Sequence, residues 1–393
     1  MKITEVRAHV LEARLSQPFA YSRARYTTRT TMVVEIETDV GLVGWGECYG
    51  PARINAAVVE SLSTLLIGQD PMRGEWIWRE IYARYRDHGQ KGSIIQGLSG
   101  IDIALWDLKG KFLGQPIHRL MGGPLRSEVR AYATGLYRRD EGRPDVYLAE
   151  EAAGYASEGF NAVKLKVGFG VAEDARVTKA VRDAIGPTVG LLVDANHAYD
   201  AVSAIQLGRK IEGLDIGWFE EPVPPEDVAG HRQVREALAI PIASGECEFT
   251  RFGFRDLITT RAVDIVQPDT CSAGGLSECK KIADFAETYN VRYAPHVWGS
   301  GIALAAALQL LAVIPSFTPH SLNPVEPMLE FDRTEHPIRQ ALLLAPIEHR
   351  KGMVQIPDGP GLGIEIDRSV LERFRLGYLG LPDICTSAPE IIA

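Results

Sequence analysis

Seven polar residues recur through the second half of the chain at a nearly constant interval: Lys166, Asp194, Glu220, Glu246, Asp269, His296 and Glu326, at steps of 28, 26, 26, 23, 27 and 30 residues. Each closes a short apolar run. Asp194, Glu220 and Glu246 have no basic neighbour beside them in sequence, and three carboxylates in one place repel and raise one another's pKa unless a cation neutralises them. An all-oxygen set suits a hard divalent ion, Mg²⁺ first and Mn²⁺ second, with positions left for water or substrate oxygens. Lys164 and Lys166 lie two apart in NAVKLKV, so on a strand they share a face. Beside a divalent ion and each other, two ammonium groups disfavour charge. Lys166 is then expected to act as a base near neutral pH, with Lys164 lowering its pKa. A carboxylate on one imidazole nitrogen makes the other a better base, so an Asp269–His296 dyad would serve a second face of a substrate. Nearby Asn196 and Glu221 are placed to orient ligands or substrate. The same residues also fit a plain ion network, and any single strand-end Asp fits a helix N-cap. Six units repeating the pattern favour one site.

Positioning such a set requires strand ends that converge. The runs RAYATG, NAVKLKV, VGLLVDAN, IGWFEEP, IPIASGE, VDIVQPD and VRYAPH read as strands, with a weaker eighth near SLNPVEP. Between them lie amphipathic stretches such as EDARVTKAVRDAI and LSECKKIADFAETYN. Alternating strands and helices predict a parallel barrel whose C-terminal strand ends share one mouth. Ahead of it, residues 1 to about 50 alternate like antiparallel strands and residues 55 to 120 take helical spacing, an α+β module. The glycines of VGFGVAED resemble a phosphate loop, but Glu173 stands where G-x-G-x-x-G needs glycine, so no nucleotide or organic cofactor is expected.

Composition narrows the class. The chain has 393 residues, 46% apolar and 24% charged, with a net charge of -9, which suits a soluble globular protein and argues against nucleic acid or anionic membrane as partner. Five irregularly spaced cysteines suggest neither a disulfide framework nor a C-x-x-C zinc site. Without an apolar leader or a span approaching ~20 apolar residues, the expected compartment is the cytoplasm.

These residues, in this order, closely resemble the enolase superfamily and its mandelate racemase-like subgroup. The resemblance rests on LSGIDIALWDLKGK, Lys164-x-Lys166, Asp194 in VDANHAY, Glu220 in WFEEP, Glu246 in SGE, Asp269 in QPDTCSAGG and His296 in APHVWGSG. It implies an α/β fold: an α+β capping domain (1–127), a (β/α)7β TIM-like barrel (128–345) and a C-terminal segment (346–393) returning to the cap. It implies Mg²⁺ on Asp194, Glu220 and Glu246, catalysis by Lys166, Lys164 and the Asp269–His296 dyad, and a homo-oligomer. Members abstract the proton α to a carboxylate. Within the subgroup, VDANHAY, PHVWGSGIALAAALQ and NPVEPMLEFDRT are most similar to galactarolactone cycloisomerases, which open an aldarolactone to a 2-keto-3-deoxy aldarate by β-elimination. That likeness assigns Asn196, His197, Trp298, Glu326 and Arg25 to a small-molecule sugar acid or its lactone, with arginines of the capping loops meeting a second carboxylate. Dehydration of an open aldarate or aldonate, racemisation, and a non-catalytic sugar-acid binder are the alternatives.

Overall fold

The computed structural model describes residues 1–318 and 321–376. Strands β1 (Ile3–Tyr21), β2 (Ala24–Thr38) and β3 (Val43–Cys48) form an antiparallel sheet in that order. The run TMVVEI of β2 is buried on both faces. Met32, Val34 and Ile36 pack on the helices α1 (Ala52–Leu66), α2 (Gly74–Tyr85) and α3 (Ser93–Leu113), whereas Val33 joins the core shared with the barrel. Helix α3 lies so close on β3 that a Cβ on Gly46 would overlap the carbonyl oxygen of Gly100. Only glycine fits there.

After the short helix α4 (Ile117–Leu120), eight parallel strands alternate with seven helices. They are β4 (Glu128–Thr134), α5 (Pro144–Ser157), β5 (Ala162–Lys166), α6 (Val171–Ile185), β6 (Gly190–Asp194), α7 (Ala201–Ile211), β7 (Ile216–Glu220) and α8 (Val228–Ala237). The series continues with β8 (Ile242–Ser244), α9 (Thr250–Thr259), β9 (Ile265–Val266), α10 (Gly275–Thr288), β10 (Arg292–Tyr293), α11 (Gly301–Leu311) and β11 (Leu329–Asp332). Neighbours pair from β4 to β10, and β11 pairs in parallel with β4, so the eighth strand returns to the first. This is the (β/α)7β barrel with its α+β cap. No helix among the described residues is long and apolar enough to cross a membrane.

The eighth strand differs from expectation. It is not SLNPVEP (321–327) but LEFD (329–332), in parallel register with Ala131–Thr134. Pro324 and Pro327 lack the N–H a ladder needs, so their segment makes only an isolated bridge between Val325 and Phe317. Beyond the barrel, β12 (His349–Arg350) and β13 (Met353–Gln355) form an antiparallel pair on β4. After α12 (Pro337–Leu342) and α13 (Arg368–Arg373) are counted, the chain meets β1 again, where Leu376 N–H donates to the Val10 carbonyl at 2.9 Å. Residues 377–393 of the expected C-terminal segment lie outside the described residues.

Buried carboxylates lock the cap on the barrel. Asp102 of α3 accepts from the Ser277 N–H and hydroxyl at 2.9 and 2.7 Å, and Asp107 accepts from the N–H groups of Trp45 and Leu362, both at 2.9 Å. Glu47, at the end of β3, accepts from the N–H groups of Ser300 (2.8 Å) and Ala303 (3.0 Å) at the start of α11. Burial pushes its carboxyl up to about 7. A carboxyl whose folded pKa exceeds its unfolded value binds its proton more tightly in the native state, so that stability is full below the unfolded pKa and declines as pH rises toward 7. Relative to Glu47→Gln, the wild type should lose up to ~3 kcal/mol between pH 4.5 and 7.5, read as a widening gap in thermal melting. A gap independent of pH contradicts this.

Candidate active site

Strand register assembles the site. Lys166 of β5 stands opposite Asp194 of β6, and Asp194 opposite Glu220 of β7, so three strand ends present their side chains in one row. The Lys166 ammonium donates to Asp194 and, at 3.0 Å, to Asn196 Oδ1. Lys164, one pleat deeper and fully buried, reaches Glu220 at 2.5 Å, Glu330 at 2.8 Å and Asp194 at 3.6 Å. Glu220 also accepts from Trp218 Nε1 (2.9 Å) and Gln267 Nε2 (2.8 Å). Glu246 follows Gly245, whose φ of 138° and tight packing against Phe254 and Gln267 exclude any side chain. One oxygen from each of Asp194, Glu220 and Glu246 falls within 4.8 Å of the others.

The cluster fits a hard divalent ion by donor chemistry and by convergence. Two ammonium groups, those of Lys164 and Lys166, also lie against it. Burial opposes the charge on both lysines, yet Glu220 and Glu330 raise the pKa of Lys164, and Asp194 raises that of Lys166. Burial likewise opposes ionisation of Asp194, but Lys166 and Lys164 hold it below the usual carboxylate range. Burial drives Glu220 up to about 7. Lys164 does lower Lys166, but Asp194 outweighs it, the ion pairing that the sequence also allows.

Across the cavity His296 completes the pair. Its Nδ1 lies 2.7 Å from Asp269 Oδ2, while the other Asp269 oxygen accepts from the Cys271 N–H at 2.6 Å. Nε2 lies 3.6 Å from Glu246. Burial alone would lower this imidazole, but Glu246 and the Asp269 bond raise it to about 10, so it carries a proton. Lys166 and His296 line one cavity of about 150 Å³, lined also by Tyr21, Tyr26, Tyr49 and Tyr137.

Asn196, His197 and Trp298 also line that cavity. Trp298 carries the Arg29 guanidinium over its ring at 4.1 Å. Two expected substrate residues lie elsewhere. Glu326 is exposed beside the N-terminal ends of β9 and β10, with Arg292 and Ile265, because the proline-broken segment that carries it never enters the barrel. Arg25 bonds Asp140 at 2.5 Å and lines a neighbouring cleft rather than this cavity. Arg29 is likewise committed, to Asp332. Sequence reasoning missed Glu330, which accepts from Thr134 Oγ1 (2.6 Å) and the Val297 N–H (2.9 Å) besides Lys164. The alternation in LEFD was its signal. In VGFGVAED the N–H groups of Gly168 and Phe169 are taken by Asp174 at 2.6 and 3.0 Å, so the loop closes on its own carboxylate.

Residues 3–122 match the model of the mandelate racemase / muconate lactonizing enzyme N-terminal domain, and residues 147–370 the enolase C-terminal domain-like model. The chain belongs to the enolase superfamily. It is 52% identical to D-galactarolactone cycloisomerase of Agrobacterium fabrum over 96% of this chain and 99% of that protein. It is 35% identical to arabinonate dehydratase of Saccharolobus solfataricus, covering 88% of this chain and 90% of that protein. Among solved structures, 3,6-anhydro-D-galactonate cycloisomerase from Zobellia galactanivorans superposes with a TM-score of 0.87 at 40% identity, over 96% of this chain and all of that one.

A ligand bound only by the native state raises the melting temperature. Millimolar Mg²⁺ should therefore stabilise the wild type but neither Asp194→Asn nor Glu220→Gln in thermal melts. An equal rise in both variants would remove the ion from this cluster.

Proposed function

We propose that this chain is a Mg²⁺-dependent cycloisomerase that opens an aldarolactone of the D-galactaro-1,4-lactone type to a 2-keto-3-deoxy aldarate. The observation that carries the reading is a pair of proton-transfer groups, Lys166 and the Asp269-held His296, facing one small cavity beside a triad of carboxylates. The similarity to D-galactarolactone cycloisomerase supports the substrate class. Asp194, Glu220 and Glu246 would hold Mg²⁺, which when bound supplies positive charge to stabilise a carboxylate deprotonated at its α-carbon.

The remaining work falls to the protein. An α-proton beside a carboxylate is a very weak acid, so the base must be close and the developing charge met by fixed cations. Lys166, next to the carboxylate triad and facing the cavity, would take the α-proton as the uncharged amine, the form favoured when a divalent ion occupies the triad. Lys164 stays charged between Glu220 and Glu330 and keeps its ammonium beneath the site. Loss of the α-proton expels the ring carboxylate from the β-carbon, which opens the lactone as the carbon–oxygen bond breaks. His296, protonated and oriented by Asp269, delivers a proton from the opposite side as the enol becomes the keto acid. The leaving carboxylate needs little acid assistance. Loss of hydroxide from an open sugar acid would need the His296 proton directly, and the likeness to arabinonate dehydratase favours that as the second reading.

Incubation of aldarolactones and open aldarates with Mg²⁺ in D₂O, followed by NMR, separates the two. Ring opening with deuterium in the product from the lactone alone is expected; product from the open acid alone selects dehydration, and no exchange with any sugar acid removes the enzyme reading. Lys166→Ala and His296→Asn should each lower turnover by about 10²–10⁴-fold while keeping native circular dichroism.

A further inference from the structure

A second group of donors stands against the first and shares one residue with it. His197, Glu221, Glu246 and Cys247 each present one donor atom within 4.8 Å of the others. Glu221 is fully buried, and neither of its carboxylate oxygens has a hydrogen-bond donor; the imidazole nitrogen His197 Nε2 lies 3.2 Å from one of them. That nitrogen lies 3.5 Å from Cys247 Sγ. Both His197 (φ 66°) and Glu221 (φ 42°) hold left-handed backbone, a conformation that costs a non-glycine residue energy and persists where surroundings impose it. A buried carboxylate without partners is costly, and these two strained residues aim imidazole and carboxylate at one point.

We infer that His197, Glu221, Glu246 and Cys247 form a second cation site, for a borderline-soft divalent ion such as Zn²⁺ or Co²⁺. Donor type sets it apart from the oxygen-only triad: sulfur and imidazole nitrogen favour such ions over Mg²⁺. The separations of 3.2 and 3.5 Å are those of neighbouring donors around a tetrahedral ion about 2.0–2.3 Å from each. Glu246, common to both sets, would be shared between the two sites. On binding, the Cys247 thiol loses its proton to solvent and the ion takes the thiolate.

The test uses the full-length protein in excess Mg²⁺, titrated with Co²⁺ and followed by near-ultraviolet absorption and by elemental analysis after gel filtration. A thiolate-to-cobalt charge-transfer band that saturates at one Co²⁺ per chain, with Mg²⁺ retained, is expected. Cys247→Ser should abolish the band and weaken Co²⁺ binding at least tenfold, and His197→Asn should weaken it with native melting preserved. Co²⁺ that only replaces Mg²⁺ without the band overturns the site, as does a band that survives Cys247→Ser. The substrate does not enter this measurement, so its outcome stands apart from that of the lactone assay.

Discussion

The constraint on which the structure depends is the charge balance in the barrel mouth. Lys164 is wholly buried, and a buried ammonium is tolerated only when opposite charge surrounds it. Glu220 and Glu330 touch it from two sides and Asp194 from a third. Those contacts draw together β5, β6, β7 and β11, which are distant in sequence. The same electrostatics that hold the strand ends in register also keep a dense set of carboxylates in one place, as a divalent cation requires.

Around that network the scaffold is built to leave no freedom at the mouth. Strand pairing sets Lys166, Asp194 and Glu220 level with one another, and Gly245 lets the chain turn tightly enough to bring Glu246 to them. The cap contributes through structural carboxylates. Glu47 closes the start of α11, just after the His296 loop, and Asp102 closes the start of α10, just after the Asp269 loop. Two helices that follow the dyad residues are thus held from the N-terminal domain. The motif LSGIDIALWDLKG, which looks chemically inert, serves this attachment: Ser99 accepts from the Gly274 N–H at 2.8 Å and Asp107 from the Leu362 N–H at 2.9 Å.

Much of this was legible in the chain. Strand ends repeat at regular intervals because each βα unit needs a similar length, so Lys166, Asp194, Glu220, Glu246, Asp269 and His296 announce one mouth before any coordinate is known. The reading failed where periodicity gave way to local chemistry. Glu326 continued the interval but sits between prolines that cannot join a ladder, and Glu330, in the short run LEFD, took the inward place. The resemblance assigns arginines of the capping loops to a substrate carboxylate; in the fold Arg25 and Arg29 face Asp140 and Asp332, partners more than a hundred residues away that no local pattern reveals. The tyrosine wall was equally hidden, since Tyr21, Tyr49 and Tyr137 come from three separate segments.

The lysines of NAVKLKV thus act at two depths, Lys164 as a buried counter-ion and Lys166 at the cavity surface. The most direct test of the charge balance is a double-mutant cycle between Lys164 and Glu330 in thermal or urea unfolding. Removing one partner of a buried pair typically costs about 3–5 kcal/mol, because it strands the other charge. Lys164→Met and Glu330→Gln should each destabilise strongly, and the double variant should lose clearly less than the sum of the two. Strictly additive losses would contradict the account.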